Sequence, residues 1–155
     1  MRGFTLIELM AVIAIIIILA ALLTPVVINV IRTAEIRKAQ NEVSQLEAAW
    51  RAYYMEYRRL PNRSGNVTST VRDILSGATA TDNPRRIQFM EFSEGSISGG
   101  NFVDPWGNPY KFALDSNFNN QVNTGDHGTL NRQVAAWSAG PDGDFGSDDD
   151  VVSWK

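Results

Sequence analysis

From Leu9 to Leu23 the chain carries no charged or strongly polar side chain, and after Thr24-Pro25 the apolar character resumes through Val26, Val27, Ile28, Val30 and Ile31. About 20 such residues suffice for a helix to cross a bilayer, so the stretch predicts one transmembrane helix. A single carboxylate, Glu8, stands at its edge. An ionisable group in such a span costs roughly 2.5 to 3.5 kcal/mol, which favours a functional group with a partner over a Glu that stays hydrated at the interface. The nearest candidate partner is an amine. If a peptidase cut after Gly3, Phe4 would become a new N-terminus, and its charge could pair with Glu8 of a neighbouring copy. That pair would bias two helices towards one axial stagger.

With 155 residues and one span, roughly 120 remain outside the membrane, enough for one modest domain. The net charge of -3 is unevenly spread. From Asn101 onward Asp104, Asp115, Asp126, Asp142, Asp144, Asp148, Asp149 and Asp150 face only Lys111, Arg132 and Lys155. Such an acidic lobe argues against nucleic acid, which needs a basic surface to neutralise phosphates. The absence of cysteine excludes a disulfide framework, a thiolate metal site and a thiol nucleophile. A secretory signal fits poorly, because the apolar run outlasts a normal h-region and no small-x-small site ends it. Charge bias leaves the orientation open, Arg2 being opposed by Arg32, Arg37 and Lys38.

Beyond the membrane, Ala39, Val43, Leu46, Trp50, Tyr53 and Tyr57 recur at alternating spacings of four and three, an apolar stripe on one helical face. The helix is therefore expected to run from Phe4 to Arg59, about 80 Å at 1.5 Å per residue, and to stop at Pro61-Asn62. Pro25 removes one backbone bond and predicts a bend or local melting. The outer half would pack under a small domain, while the bare inner half implies self-association. Val71 to Gly77 reads as a short helix closed by glycine. Ile87–Phe92, Tyr110–Leu114 and Gln133–Ser138 read as strands of a small antiparallel sheet laid across the stripe. Asn62–Ser69, Ala78–Arg86 and Ser116–Arg132 read as loops. The turn Asp104-Pro105-Trp106-Gly107-Asn108-Pro109-Tyr110 holds Trp106 and Tyr110 at a fixed offset, a structural role rather than a sugar-binding one.

Between Asp142 and Asp150, five carboxylates (Asp142, Asp144, Asp148, Asp149, Asp150) are crowded together with two glycines. Calcium takes six to eight hard oxygen ligands at about 2.3 to 2.6 Å, and this loop can offer both carboxylates and carbonyls. Asp148 and Asp150 would converge while Asp149 points to water, with Trp137 and Trp154 burying the loop's ends. The alternative is a solvated acidic tail. EF-hand spacing is absent. His127, the only histidine, lies beside Asp126 in a Gly-flanked loop and reads as a surface residue, so no enzyme activity is expected.

Gly3-Phe4-Thr5-Leu6-Ile7-Glu8 followed by an apolar helix resembles the N-terminal processing motif of type IV pilins and of type II secretion pseudopilins. Asp104 to Tyr110 is similar to the Asp-Pro-Trp-Gly-x-Pro-Tyr segment of major pseudopilins. Gly140-Pro141-Asp142-Gly143, Asp148-Asp149-Asp150-Val151 and Trp154 resemble their C-terminal calcium loop. The resemblance implies an α+β, type IV pilin-like fold: a long N-terminal transmembrane and amphipathic helix packed on a small C-terminal antiparallel sheet with a calcium-binding loop. It divides the chain into a leader (1–3), a membrane and filament-core half-helix (4–31), an amphipathic half-helix (32–60) and a globular domain (61–155). It further implies cleavage after Gly3 by a prepilin peptidase, N-methylation of Phe4, assembly through Glu8, and a helix-loosening role for Pro25. One structural calcium would be held by Asp142, Asp148 (or Asp149 in its place) and Asp150 with the carbonyls of Ala139 and Asp144. The expected function is that of a structural subunit of a homo-oligomeric pseudopilus driving protein export through a type II secretion system. Its partners would be minor pseudopilins and an inner-membrane assembly platform. The domain would be periplasmic on a single inner-membrane span, and the rival use is a type IV pilus subunit for adhesion, motility or DNA uptake.

Overall fold

A computed structural model describes residues 5–154, so the expected cleavage and methylation at Gly3 and Phe4 lie outside the described residues. Two compact units divide the chain, Met1–Glu35 and Ile36–Lys155. Helix α1 (Leu6–Tyr57) supplies the described backbone of the first unit almost entirely. Its most apolar 18-residue window has a mean hydropathy of 3.1 and contains no buried residue, so it is long and apolar enough to cross a membrane. Ile15, Ile16, Ile17 and Ile18 are all more than half exposed. The loosening expected at Pro25 does not interrupt the element: helix is continuous through it, and the Thr24 hydroxyl donates to the Ala20 carbonyl at 2.7 Å. Local melting is therefore not found.

In the second unit the apolar stripe is buried as its spacing requires. Ala39, Val43, Leu46 and Trp50 have no exposed area and Tyr53 has 1%. Four strands form the principal sheet, β1 (Ser64–Asn66), β4 (Lys111–Leu114), β7 (Val134–Ser138) and β8 (Val151–Val152), in the order β1-β4-β7-β8 and antiparallel throughout. Phe112 stands opposite both Gly65 and Ala136, and Trp137 opposite Val152. Because successive side chains alternate faces, the sheet separates two clusters. Phe112, Leu114, Val134 and Ala136 join Trp50 and Leu46 in one, while Ala113, Ala135, Trp137 and Val152 join Val122 in the other. Phe112 stacks on Trp50 with ring centroids 5.4 Å apart. With both faces covered, β7 is buried at every residue.

Around this frame lie α2 (Ser69–Ser76), the hairpin β2 (Ile97–Ser98) with β3 (Asn101–Phe102), and the hairpin β5 (Val122–Asn123) with β6 (Thr129–Leu130). Gly77 ends α2 in the left-handed region, as its place after the helix suggested. Two sequence readings are corrected. Ile87–Phe92 is not a strand, because Asn83 holds Ile87 at both its N–H and its carbonyl, and the N–H groups of Phe89 and Met90 both donate to the Leu75 carbonyl. Ser116–Arg132 is not only a loop, since β5 and β6 place Val122 and Leu130 over the outer face of the sheet. The Asn62–Ser69 stretch likewise contains β1.

Truncating Trp50 removes the ring on which Phe112 and Tyr53 both pack. Trp50→Ala is expected to cost about 3 to 5 kcal/mol of unfolding free energy, read as a lowered denaturant midpoint for the detergent-solubilised chain. An unaltered midpoint would show that the stripe does not anchor the sheet.

Candidate functional site

Glu8 is held by its own chain. Thr5, immediately before α1, donates to Glu8 Oε2 through its backbone N–H at 2.9 Å and its hydroxyl at 2.7 Å, and the Glu8 N–H lies 3.3 Å from Thr5 Oγ1. This is a capping box, in which a Thr and a Glu three residues on satisfy each other's otherwise orphaned N–H groups. Thr5-x-x-Glu8 carries this signal in the sequence, beside the readings of Glu8 as a group with an outside partner or as a carboxylate hydrated at the interface. Oε1 makes no hydrogen bond among the described residues.

At the other end, oxygens of Asp142, Asp149 and Asp150 lie within 4.8 Å of one another. Asp148 is exposed and does not join them; Asp149 takes the place expected for it. Strand-like alternation would turn Asp148 and Asp150 to one side, whereas Gly146 to Asp149 is a succession of turns. Asp149 Oδ2 accepts the Asp142 N–H at 3.2 Å and Oδ1 accepts the Ser147 hydroxyl at 2.5 Å, and the Ser147 bond holds the Asp149 carboxyl below its usual range. Asp150 is 7% exposed, and its Oδ2 accepts the Gly146 N–H at 2.8 Å. Gly140 permits the turn back: it has a φ of +69°, and a Cβ there would overlap the Asp149 carbonyl. Of the remaining candidates, Ala139 is fully buried and Asp144 is exposed, its N–H donating to Asp142 Oδ1 at 2.9 Å.

The histidine is half-buried, its side chain 19% exposed. His127 Nε2 stands 2.8 Å from Asp150 Oδ2, though without hydrogen-bond alignment, and its ring meets the edges of Trp137 and Trp154 at 6.1 and 5.2 Å. Beside it Asp126 Oδ2 accepts from Lys111 Nζ at 2.8 Å and from Trp137 Nε1 at 3.1 Å, so Asp126 is committed to packing.

A buried polar chain ties the Asp104 turn to both neighbours. Asp104 Oδ1 accepts the N–H groups of Trp106 and Asn108, while Oδ2 accepts the Ser138 hydroxyl at 2.6 Å, and Ser138 Oγ accepts the Gly140 N–H at 3.1 Å. At the end of the turn, the Tyr110 hydroxyl donates to Glu42 Oε2 at 2.5 Å, and Ser96 donates to Glu42 Oε1 at 2.9 Å. Trp106 packs only partly against the core and Tyr110 is fully buried, so the two aromatics do not form an open sugar-binding patch.

Comparison with known proteins gives two family matches. Residues 26–154 match "Type II secretion system (T2SS), protein G", and residues 1–24 match "Prokaryotic N-terminal methylation motif". Among curated relatives, the type II secretion system core protein G of Escherichia coli (strain K12) is 33% identical over 99% of this chain and 90% of its own length. The protein of the same name from Aeromonas hydrophila is 30% identical over 99% of this chain and 92% of its own length, and that from Pectobacterium carotovorum subsp. carotovorum is 31% identical over 99% and 85%. No solved structure matches significantly.

Burial, reinforced by the Glu42 carboxylate, raises the Tyr110 phenol well above its usual range. The folded state thus holds this proton more tightly than the unfolded chain. The associated stability is complete below about pH 10, the ordinary phenol value, and is lost as pH rises further. Tyr110→Phe is expected to cost about 1 to 3 kcal/mol at neutral pH, because Glu42 loses a buried donor, and to flatten the alkaline decline in a series of melting curves. An equally steep decline in the variant would assign the effect to another group.

Proposed function

The chain belongs to the type II secretion system protein G family, and from that premise we propose that its copies are cleaved after Gly3, methylated at Phe4, and stacked into a helical pseudopilus that drives protein export. The supporting observation is the bare apolar half of α1, none of whose most apolar window is buried within its own chain. Such a surface is stable only in lipid or against other apolar helices. Before assembly the chain is stored as a single-span inner-membrane protein with its domain on the periplasmic side. Minor pseudopilins, an assembly platform and a prepilin peptidase are its working partners. The family match does not favour a type IV pilus use. The role is structural: His127 packs half-buried against Asp150 and two tryptophans, which suits packing rather than catalysis.

In this scheme Glu8 has two roles that do not compete. Oε2 serves the Thr5 cap, and Oε1 can receive the amine that processing exposes on an adjoining copy. A carboxylate and an ammonium brought together in hydrocarbon fix register, because separating them there leaves each uncompensated. Pro25 lies further along the same helix, where its missing N–H leaves the backbone easier to deform during extrusion.

The C-terminal loop takes one structural calcium. Two oxygens bound to one calcium ion stand no more than about 5 Å apart, and the three carboxylates within 4.8 Å meet that condition. Asp142, Asp149 and Asp150 would hold it, with the carbonyls of Ala139 and Asp144 as further oxygens; Asp148 is left to solvent. The ion would neutralise crowded like charges and close the loop in a domain that has no cysteine.

Two measurements test these readings. Excess chelator should lower the melting temperature of the full chain in detergent, and added calcium should restore it; identical curves would remove the ion. Glu8→Gln keeps a capping-competent side chain but loses the charge, so it should insert normally and yield several-fold fewer filaments. Wild-type filament yield from that variant would discard the ion-pair mechanism.

A further inference from the structure

Strand β1 and the 116–123 segment border an open cavity of about 360 Å³, within the range of small-ligand clefts. Among the described residues no carboxylate lines it, and the one charged side chain, Arg63, is already matched by Asp82, whose Oδ2 stands 3.0 Å from Nη2 and 3.1 Å from Nε. Four of the lining residues are asparagines, and each is oriented by its own chain. Asn62 Oδ1 accepts the Ser116 hydroxyl at 3.2 Å. The Oδ1 atoms of Asn117, Asn119 and Asn123 accept the N–H groups of Asn119, Gln121 and Gly125 at 3.3, 2.9 and 2.9 Å. With every oxygen engaged, each Nδ2 is left as a donor that meets no acceptor among the described residues. Gln121 is turned the other way: its Nε2 donates to Asn131 Oδ1 at 3.1 Å, which leaves Oε1 as an acceptor. Between Asn117 and Asn119, Phe118 is 57% exposed with a φ of +60°, an uncommon setting for a bulky side chain. The buried Asp115 carboxylate shapes this segment by accepting the N–H groups of Asn119 at 3.1 Å and Asn120 at 2.7 Å.

We propose that this cavity binds a neutral oligosaccharide, held by the amides of Asn62, Asn117, Asn119 and Asn123 with the exposed ring of Phe118 beside them. A sugar offers closely spaced oxygens that accept hydrogen bonds, and its hydroxyls donate as well. The asparagine amides match the first property and Gln121 Oε1 the second. An anion finds no unmatched cation here, because the Arg63 charge is spent on Asp82. One face of a pyranose ring carries mainly C–H groups, and the Phe118 ring gives that face an apolar surface. The amides are fixed before any ligand arrives, so little ordering remains to oppose binding. An open cleft suits a stretch within a sugar chain better than a single enclosed monosaccharide. Every residue involved belongs to one copy of the chain and to its second compact unit, so the site does not require filament formation.

The test uses the full chain in detergent with chitotetraose and maltotetraose as separate probes, titrated by saturation-transfer NMR. The unaltered chain should bind at least one of them saturably. Asn117→Asp combined with Asn123→Asp keeps the oxygens that accept the Asn119 and Gly125 N–H groups but turns the amide donors into acceptors. Affinity should fall about tenfold, with the melting curve unchanged. Phe118→Ala should weaken binding several-fold, and Asn101→Asp, which does not line the cavity, should leave it as it was. If the double variant melts early, Asn62→Asp decides by the same titration, since its oxygen still accepts the Ser116 hydroxyl. No saturable binding of either probe, undiminished binding by the folded asparagine variants, equal loss in Asn101→Asp, or displacement of the sugar by inorganic phosphate or an acidic peptide would each overturn the site. None of these results would disturb the pseudopilus reading.

Discussion

The stacked pair of Trp50 and Phe112 joins the helical stripe to the sheet, and the layout of the folded unit follows from it. A helix with one apolar face must be covered, and here the cover is a sheet of four short strands. Phe112 stands on β4, which lies inside the sheet with β1 on one side and β7 on the other. The opposite face of the same strands then carries Ala113, Ala135 and Trp137, which need a second cover. Val122 and Leu130 of the β5–β6 hairpin supply it. Glu42 adds direction to this apolar contact, because its two oxygens fix Tyr110 and Ser96 at defined points along the helix.

The parts legible in the sequence were those with enough length for a period to appear. The stripe from Ala39 to Tyr57 spans several turns, and Tyr110–Leu114 and Gln133–Ser138 correspond to β4 and β7 within a residue. Strands such as β2, β3, β5, β6 and β8 have two residues each and owe their existence to partners distant in sequence, so no local pattern announces them. Ile87–Phe92 shows the converse error. Its partial alternation suited a strand, yet the carbonyl of Leu75 and the side chain of Asn83 took its backbone groups first. At the candidate sites, residue types were readable and pairings were not. The convergence of Asp149 rather than Asp148 depends on turns centred on Gly146, and the position of His127 depends on the β5–β6 hairpin carrying it to Asp150.

The Asp104 turn and the acidic loop, distant in sequence, form one mechanical unit. Asp104 fastens Ser138, and Ser138 fastens the N–H of Gly140, where the chain turns towards the carboxylates. Disturbing the turn therefore loosens the base of the loop without touching any carboxylate in it. The same economy appears at the start of α1, where one Glu8 oxygen completes the helix end and the other meets no donor among the described residues.

The sheet is closed entirely by non-covalent means, its last strand held to β7 by the Trp137–Val152 and Ser138–Val151 pairs. A domain built this way never waits for an oxidant or an isomerase, steps that take seconds to hours where sulfur bridges must form and reshuffle. Its folding includes no disulfide step, so newly delivered copies fold indifferently to the redox poise of the compartment they enter.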